Sequence, residues 1–298
     1  MDKINVRNEK DWSGVKKAVI MFIPSVILLG GFFIGPALVA MIYSMTDMTL
    51  TGASAQTVHF VGFENFAALF HSPGIGTVVY NTVIFLFVSG ILGQQILGLF
   101  LALLLREKRR GVKFFVGVTV AAGWITPEVV AIVMFSCVFA ANGTANMLLG
   151  MLGIEPVQWL IKHALASVVI ANIWKGCAYS VMMFQAALDQ VSDDILEAAR
   201  IDGAGSMQIL FRIIIPTISS ALVTDFMVVT LGTLGTVGLI YGMTGGGPGN
   251  SSTTLSMLMY KKAFTSFQLG YGMAIAVVIL VAGILLSMGY TKLVDKNK

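Results

Sequence analysis

The chain has 298 residues, of which 56% are hydrophobic and only 11% charged, whereas an average soluble domain is roughly 25% charged. Together with a mean hydropathy of +0.85, this excludes a soluble globular domain and describes an integral membrane protein. The net charge of +4 comes from basic residues gathered at the ends of apolar runs rather than along one face, so nucleic acid is not an expected partner.

A bilayer core takes about 20 apolar residues per helix. Six runs meet that length, at about 18–45, 77–105, 114–140, 164–186, 217–241 and 268–291. The first is too long for the apolar region of a signal peptide and no clean small-residue cleavage site follows it, so no cleaved leader is expected. Alternation puts residues 1–17, the loop 106–113, the loop at about 187–216 and the tail 292–298 on one side of the bilayer. That side carries 15 of the 19 Lys and Arg residues: Lys3, Arg7, Lys10, Lys16, Lys17, Arg106, Lys108, Arg109, Arg110, Lys113, Arg200, Arg212, Lys292, Lys296 and Lys298. Lys162, Lys261 and Lys262 fall on the other side and Lys175 inside a span. Basic loops stay in the cytoplasm, so both termini are expected there. The expected organisation is all-α: a cytoplasmic segment 1–17, a six-helix transmembrane domain 18–291, and a cytoplasmic tail 292–298.

The outer loops, about 46–76, 141–163 and 242–267, are too short to form a separate domain. The triplet Asn142-Gly143-Thr144 matches a glycosylation sequon by composition alone and carries no weight. Residues 255–267 have apolar side chains at helical spacing around Lys261 and Lys262, which predicts a short helix at the outer interface. Cys137 and Cys177 lie inside apolar runs and read as free thiols. Trp12, Trp159 and His163 fit the membrane boundary. Nothing suggests an internal repeat or a metal cluster.

Ionisable groups inside spans are costly and are functional candidates. Three occur: Glu128 after Pro127 in the third run, Lys175 in the fourth and Asp225 in the fifth. On a continuous helix Trp124 and Glu128 share a face at i, i+4, as do Asn172, Lys175 and Gly176 within a turn. Gly232, Thr233, Gly235 and Thr236 give the fifth run a small, hydroxyl-bearing surface. Glu128 and Lys175 either face a ligand or pair with each other. Asp225 reads as a helix–helix or subunit contact, and Gln94 and Gln95 as interhelical hydrogen-bonding groups.

Between the fourth and fifth runs lies "SDDILEAARIDGAGSMQILFRIIIP", residues 192–216. Ser192 can cap a helix whose first turn holds Asp193 and Asp194. Ile195, Leu196, Ala199 and Ile201 lie on one broad face, and Glu197 can reach Arg200. Gly203 and Gly205 end that helix, Ser206 can cap a second, and Pro216 marks entry to the next span. Met207, Leu210 and Phe211 are apolar residues in a cytoplasmic loop, which calls for a docking partner.

The run Glu197-Ala198-Ala199, then Asp202-Gly203-Ala204, then Phe211, Ile213 and Pro216, resembles the EAA loop of bacterial ABC-importer permeases in the carbohydrate-uptake, maltose-permease-like branch. "MTGGGPGNSSTTL" (243–255) is similar to the Gly-Gly-Pro segment that precedes the last span in those permeases, and "NFAALF" and "ANIWKG" extend the likeness over most of the chain. Ser219 and Ser220 stand where the family often has a second proline.

The resemblance implies a permease subunit of an ATP-driven, binding-protein-dependent sugar importer, its cargo of oligosaccharide size, working by alternating access. Its coupling helix, with Glu197, Ala198, Ala199, Asp202, Gly203, Ala204 and Phe211, would sit in a cleft of a dimeric cytoplasmic ATPase, where ATP and Mg bind. The chain itself would be no enzyme and hold no cofactor or metal. A second homologous permease, an extracellular solute-binding protein, the sugar and the lipid bilayer are the implied partners, in a bacterial inner membrane. The implied sugar contacts are Trp124, Glu128, Asn172, Lys175, Gly176, Thr233 and Thr236. The glycine-rich segment 245–249 lacks the Gly-Lys-Ser/Thr of a phosphate loop. Glycerol phosphate, a polyol or an acidic sugar are alternative cargoes. An ion-coupled transporter using Glu128 or Asp225 would leave the hairpin without a task, and no catalytic constellation supports an intramembrane enzyme.

Overall fold

The structure, a computed structural model, describes residues 12–106 and 110–296, with side chains from residue 20 to residue 292 apart from Ala53 and 107–109. The basic residues Lys3, Arg7, Lys10, Lys108, Arg109 and Lys298, and the side chains of Trp12, Lys16, Lys17 and Lys296, lie outside the described residues. Among these residues the chain is helical, and its one β-bridge joins Thr46 to Phe60.

Helix α1 runs Trp12–Leu29 and continues through a π-helical stretch, Gly30–Ile34, into Gly35–Tyr43. Its apolar side chains point outward: Phe32 is 75% and Phe33 72% exposed. A helix so exposed and so apolar is stable where lipid or another subunit covers it. Helix α2 (Glu64–His71) leads to α3, which spans Ile75–Arg106 with a π-helical middle, Phe85–Gln94. Helices α7 (Ala164–Leu188) and α13 (Leu269–Lys296) are the other long apolar elements. Between them come α4 (Arg110–Ile125), α5 (Glu128–Val138), α6 (Thr144–Met151), α8 (Asp193–Ile201), α9 (Ser206–Thr217), α10 (Ser219–Leu234), α11 (Gly238–Thr244) and α12 (Leu255–Tyr260, continued by Lys261–Thr265).

Among the described residues four helices are long and apolar enough to cross a membrane, or up to six if each of two bent pairs counts as one. The bends fall at Pro127 inside the third apolar run and at the entry to the fifth. Helices α4 and α5 meet at 112°. Pro127 is extended there (φ −60°, ψ 148°), and the helix breaks here because the proline ring disfavours helical geometry in the residue before it and has no N–H to donate. Helices α9 and α10 meet at 72° around Ile218, just after Pro216. The fifth run also stops early. Helix α10 ends at Leu234 rather than 241, and α11 starts anew at Gly238. The stretch Gly235-Thr236-Val237-Gly238 combines two glycines with two β-branched residues, all poor helix formers.

Two apolar cores divide the length of the bundle. One gathers Ala102, Leu105, Val116, Val120, Val181 and Phe184 with Leu196, Ile209, Ile214 and Ile218 of the α8–α9 hairpin. The other gathers Phe85, Phe135, Phe139, Val168, Leu239, Ile240 and Met257 at the opposite end. Within a bilayer these contacts hold the helices by van der Waals packing rather than by removal of apolar surface from water. Helix α12 belongs to the second end. Met257 is fully buried and Ser256 and Ala263 are nearly so, so this segment packs into the protein rather than lying on its surface.

Candidate functional site

A cavity of about 440 Å³ opens between the two cores. On α7 its lining residues, Asn172 to Tyr179, fall between the two buried clusters, and on α3 Gln94 does the same. Gly123, Trp124 and Thr126 line it from the end of α4, and Val228, Val229, Gly232, Thr233 and Thr236 from α10 and the turn after it. A second space of about 360 Å³ adjoins it through Asn172, Lys175, Gly232 and Thr236, and reaches Glu128 and Gly238. All seven expected sugar contacts thus border one of two connected spaces.

The break at Pro127 is what makes this arrangement. Trp124 and Glu128 do not share a helical face as expected, because the chain turns through 112° between them. Trp124 closes α4 and faces the larger space, whereas Glu128 opens α5 and faces the smaller. Trp124 is 53% exposed, and its ring stacks on Tyr179 with centroids 6.1 Å apart at 27°. Tyr179 escaped the sequence reading, although it lies four residues after Lys175 and three after Gly176, on the same face of one helix.

Lys175 Nζ lies 3.9 Å from Glu128 Oε2, and both side chains are partly exposed (34% and 42%). The distance is at the outer limit of an ion pair, so the contact is loose and open to competition from a third charged group. Asn172 is nearly buried and donates from Nδ2 to Ser89 Oγ (2.9 Å), while Gln94 Nε2 donates to the Asn172 carbonyl (3.2 Å). These bonds tie α3 to α7 and fix the cavity wall. Gly176 has a packing reason to be glycine, since a Cβ there would fall 2.1 Å from Gln94 Oε1. Thr236 donates back to Gly232 O (3.1 Å), and Thr233 is buried against Gly90.

Asp225 stays away from this space. It is fully buried within the chain, which makes it a helix–helix group and removes it from any subunit surface. Its carboxylate faces Ser180 of α7 and Gln95 of α3, and none of the three side chains completes a hydrogen bond.

The hairpin at the other end has two faces. Ser192 caps α8 by accepting from Asp194 N (3.2 Å), and Gly203 takes the left-handed conformation (φ 84°) that a helix end favours. The cap of α9 is Gly205, not Ser206: its N–H donates to Gln208 Oε1 (3.0 Å). Leu196, Ala199, Ile209 and Leu210 turn into the core, so Leu210 is not among the outward residues. Ile195, Ile201, Met207 and Phe211 point out, with Ile201 86% and Met207 71% exposed. No ion pair joins Glu197 to Arg200. Arg106 at the end of α3 instead holds the hairpin, donating from its guanidinium to Val191 O (2.8 Å) and Asp193 Oδ1 (2.9 Å).

The glycine-rich segment at the opposite end is built as a fixed loop. Thr253 Oγ1 donates to Gly246 O (2.7 Å), and Asn81 of α3 donates to the carbonyls of Asn250 (2.7 Å) and Thr253 (3.2 Å). Gly246 must be glycine, with φ 80° and Thr253 Oγ1 only 2.5 Å from where a Cβ would sit. Trp159 donates its Nε1–H to Asn146 Oδ1 (3.1 Å) and so braces the neighbouring loop.

Comparison with known proteins gives one family. Residues 94–298 match the family described as binding-protein-dependent transport system inner membrane component. A sulfoquinovosyl glycerol transport system permease protein of Agrobacterium fabrum is 30% identical over 280 residues, covering 93% of this chain and 90% of the relative. A trehalose/maltose transport system permease protein of Thermococcus litoralis is 30% identical over 288 residues, 95% of this chain and 94% of the relative. In fold, a chain from a bacterial alginate ABC transporter, solved in complex with an alginate pentasaccharide-bound periplasmic protein, superposes with a TM-score of 0.78 at 19% identity, covering 95% of this chain and 96% of that one.

Proposed function

The chain belongs to the binding-protein-dependent transport system inner membrane component family, as a multi-pass ABC permease, and from that premise we propose that it conducts a sugar of oligosaccharide size through the cavity between α4, α7 and α10. The observation that carries this reading is the lining of that cavity. It combines the stacked Trp124–Tyr179 pair with Asn172, Thr233 and Thr236, an aromatic platform beside amide and hydroxyl groups. Sugars present apolar C–H faces and hydroxyl edges, and this wall offers a surface for each. Lys175, held only loosely by Glu128, extends the range to sugars that carry a negative charge. The sugars and the saccharide-bound periplasmic protein named for the relatives lie in the same chemical class.

The exposed face of the α8–α9 hairpin, with Ile201, Met207 and Phe211, docks on a separate dimeric ATPase, which binds ATP and Mg. Glu197, Ala198, Asp202 and Gly203 complete the outward surface. Leu196 and Ala199 anchor the same hairpin in the core of the bundle, so a shift of the ATPase is transmitted to α3, α4 and α7. Such coupling works when the ATPase contacts the hairpin differently in its open and closed states. A second, homologous permease covers the exposed side near Trp124 and the outer wall of α1. The solute-binding protein delivers cargo at the end that carries the glycine-rich loop, and the positive-inside pattern puts the hairpin and both termini in the cytoplasm.

The test is reconstitution with the partner permease, ATPase and binding protein in liposomes. Uptake of labelled sugar should require ATP and persist with an uncoupler present. Uptake that follows an ion gradient without ATP would refute the reading.

A further inference from the structure

At the end of the molecule opposite the hairpin is a separate cavity of about 360 Å³, lined by the start of α3, the glycine-rich loop, α12 and the start of α13. Lys261 and Lys262 both line it, and no acidic residue does. Neither lysine is in an ion pair among the described residues. Both are half-buried. Lys261 Nζ has one long hydrogen bond, to Thr253 Oγ1 (3.4 Å), and Lys262 Nζ stands 5.4 Å above the Tyr271 ring. Burial pulls the Lys261 ammonium below the usual lysine range, which is the cost of charge without a counterion.

Other donors converge on the same space. Ser72, Gly74 and Ile75 line it at the beginning of α3. Gly74 leaves that helix without a side-chain cap; Ile75 N–H donates to Ser72 O (3.2 Å), and the positive end of the helix dipole faces this region. Asn250 also lines the cavity, and its Nδ2 lies 3.1 Å from where a Gly74 Cβ would sit. Two ammonium groups, an amide N–H₂ and a helix N-terminus make a surface of donors and positive potential, to which Ser72, whose hydroxyl donates to Leu69 O (2.8 Å), adds no donor.

We propose that this cavity binds an oxyanion, the carboxylate, sulfonate or phosphate group of a ligand, held between Lys261, Lys262 and the start of α3. Two sources carry that chemistry: a free anionic solute at the entrance, or an acidic side chain of a protein docked over it.

The test uses the full chain assembled with its transport partners in nanodiscs, titrated with inorganic phosphate by calorimetry at neutral pH. Saturable binding is expected, with a rise in thermal midpoint as phosphate is added. Losing one charge-assisted contact should weaken binding roughly tenfold in Lys261→Met and in Lys262→Met, and the double variant should abolish it. The arginine variants Lys261→Arg and Lys262→Arg keep charge and should keep binding, which separates loss of the site from loss of folding. Lys162→Met, which changes a lysine outside this cavity, should bind as the parent does. Absent saturable binding, or binding untouched by the double variant, overturns the proposal. Binding lost in Lys175→Met overturns it too, by assigning phosphate to the central cavity. Once binding is shown, phosphate that displaces the cognate binding protein identifies a side chain as the natural occupant, and phosphate that leaves it in place identifies a free anion.

Discussion

Arg106 and Asp193 join the end of α3 to the start of the hairpin through a 2.9 Å contact, and the same guanidinium reaches Val191 O at 2.8 Å. The two bonds are unequal in worth. Asp193 is 83% exposed, and an exposed ion pair contributes about 0–1 kcal/mol. The bond to the Val191 carbonyl is partly buried, and losing the charged donor costs about 1.5–3 kcal/mol. Arg106→Ala should therefore lower the thermal midpoint clearly more than Asp193→Asn does. It should also reduce sugar moved per ATP hydrolysed, because the hairpin loses a tie to α3. Equal effects from both variants would assign the tie to the ion pair instead.

Gly203 separates backbone geometry from surface charge. Its φ of 84° suits glycine, and a Cβ there meets nothing within 4 Å. The left-handed conformation is tolerated by Asn and Asp but costs about 1–2 kcal/mol for other residues. Gly203→Asp and Gly203→Asn should fold alike. The aspartate adds a second charge beside Asp202 on the face proposed to meet the ATPase, so Gly203→Asp should hydrolyse ATP with little uptake while Gly203→Asn stays coupled. Failure of both variants would locate the effect in the backbone, and normal uptake by Gly203→Asp would count against docking at this site.

The Glu128–Lys175 contact, at 3.9 Å between partly exposed side chains, holds the structure weakly, by no more than about 1 kcal/mol. Glu128→Gln should leave the thermal midpoint within a few degrees of the parent. By releasing Lys175 it should strengthen binding of an acidic sugar and leave a neutral one unchanged. Lys175→Met should weaken the acidic sugar roughly tenfold or more. Equal changes for both sugars in Lys175→Met would show that the lysine shapes the cavity without selecting charge.

Much of this was legible in the sequence because it rests on local rules. Run length gave α3, α7 and α13 to within a few residues, and capping chemistry gave Ser192 and Gly203. The misses share one cause, since hydropathy measures how much apolar length exists but not its direction. Pro127 bends the third apolar run into a pair of helices, and the Gly235–Gly238 stretch ends the fifth run's helix early. That redirection placed Trp124 and Glu128 in adjoining spaces rather than on one face. Leu210 and Ser206 were misread because which side of a short amphipathic helix is covered depends on the core behind it. Arg106 was read as one more charge of the basic loop. Its partners Val191 and Asp193 are 85 and 87 residues away, beyond the reach of any local pattern.

Trp124 offers the most direct test of the proposed sugar path. The residue is 53% exposed and its ring is stacked on Tyr179 with centroids 6.1 Å apart, so a sugar ring entering by the proposed path would have an aromatic face to cover. Aromatic stacking contributes about 0.5–1.5 kcal/mol beyond area burial, and the area itself adds more at about 25 cal/mol per Å². Trp124→Ala should then weaken transport at limiting sugar by roughly tenfold or more, whereas Trp124→Phe should keep most of it. Tyr179→Phe retains the ring and removes the hydroxyl, so it separates stacking from hydrogen bonding and should change transport little. Sugar should also alter the tryptophan emission of the parent, and this change should vanish in Trp124→Phe while the other three tryptophans remain. An emission change that persists in Trp124→Phe would move the sugar away from this wall and toward Trp159 or Trp174, which pack on the other core.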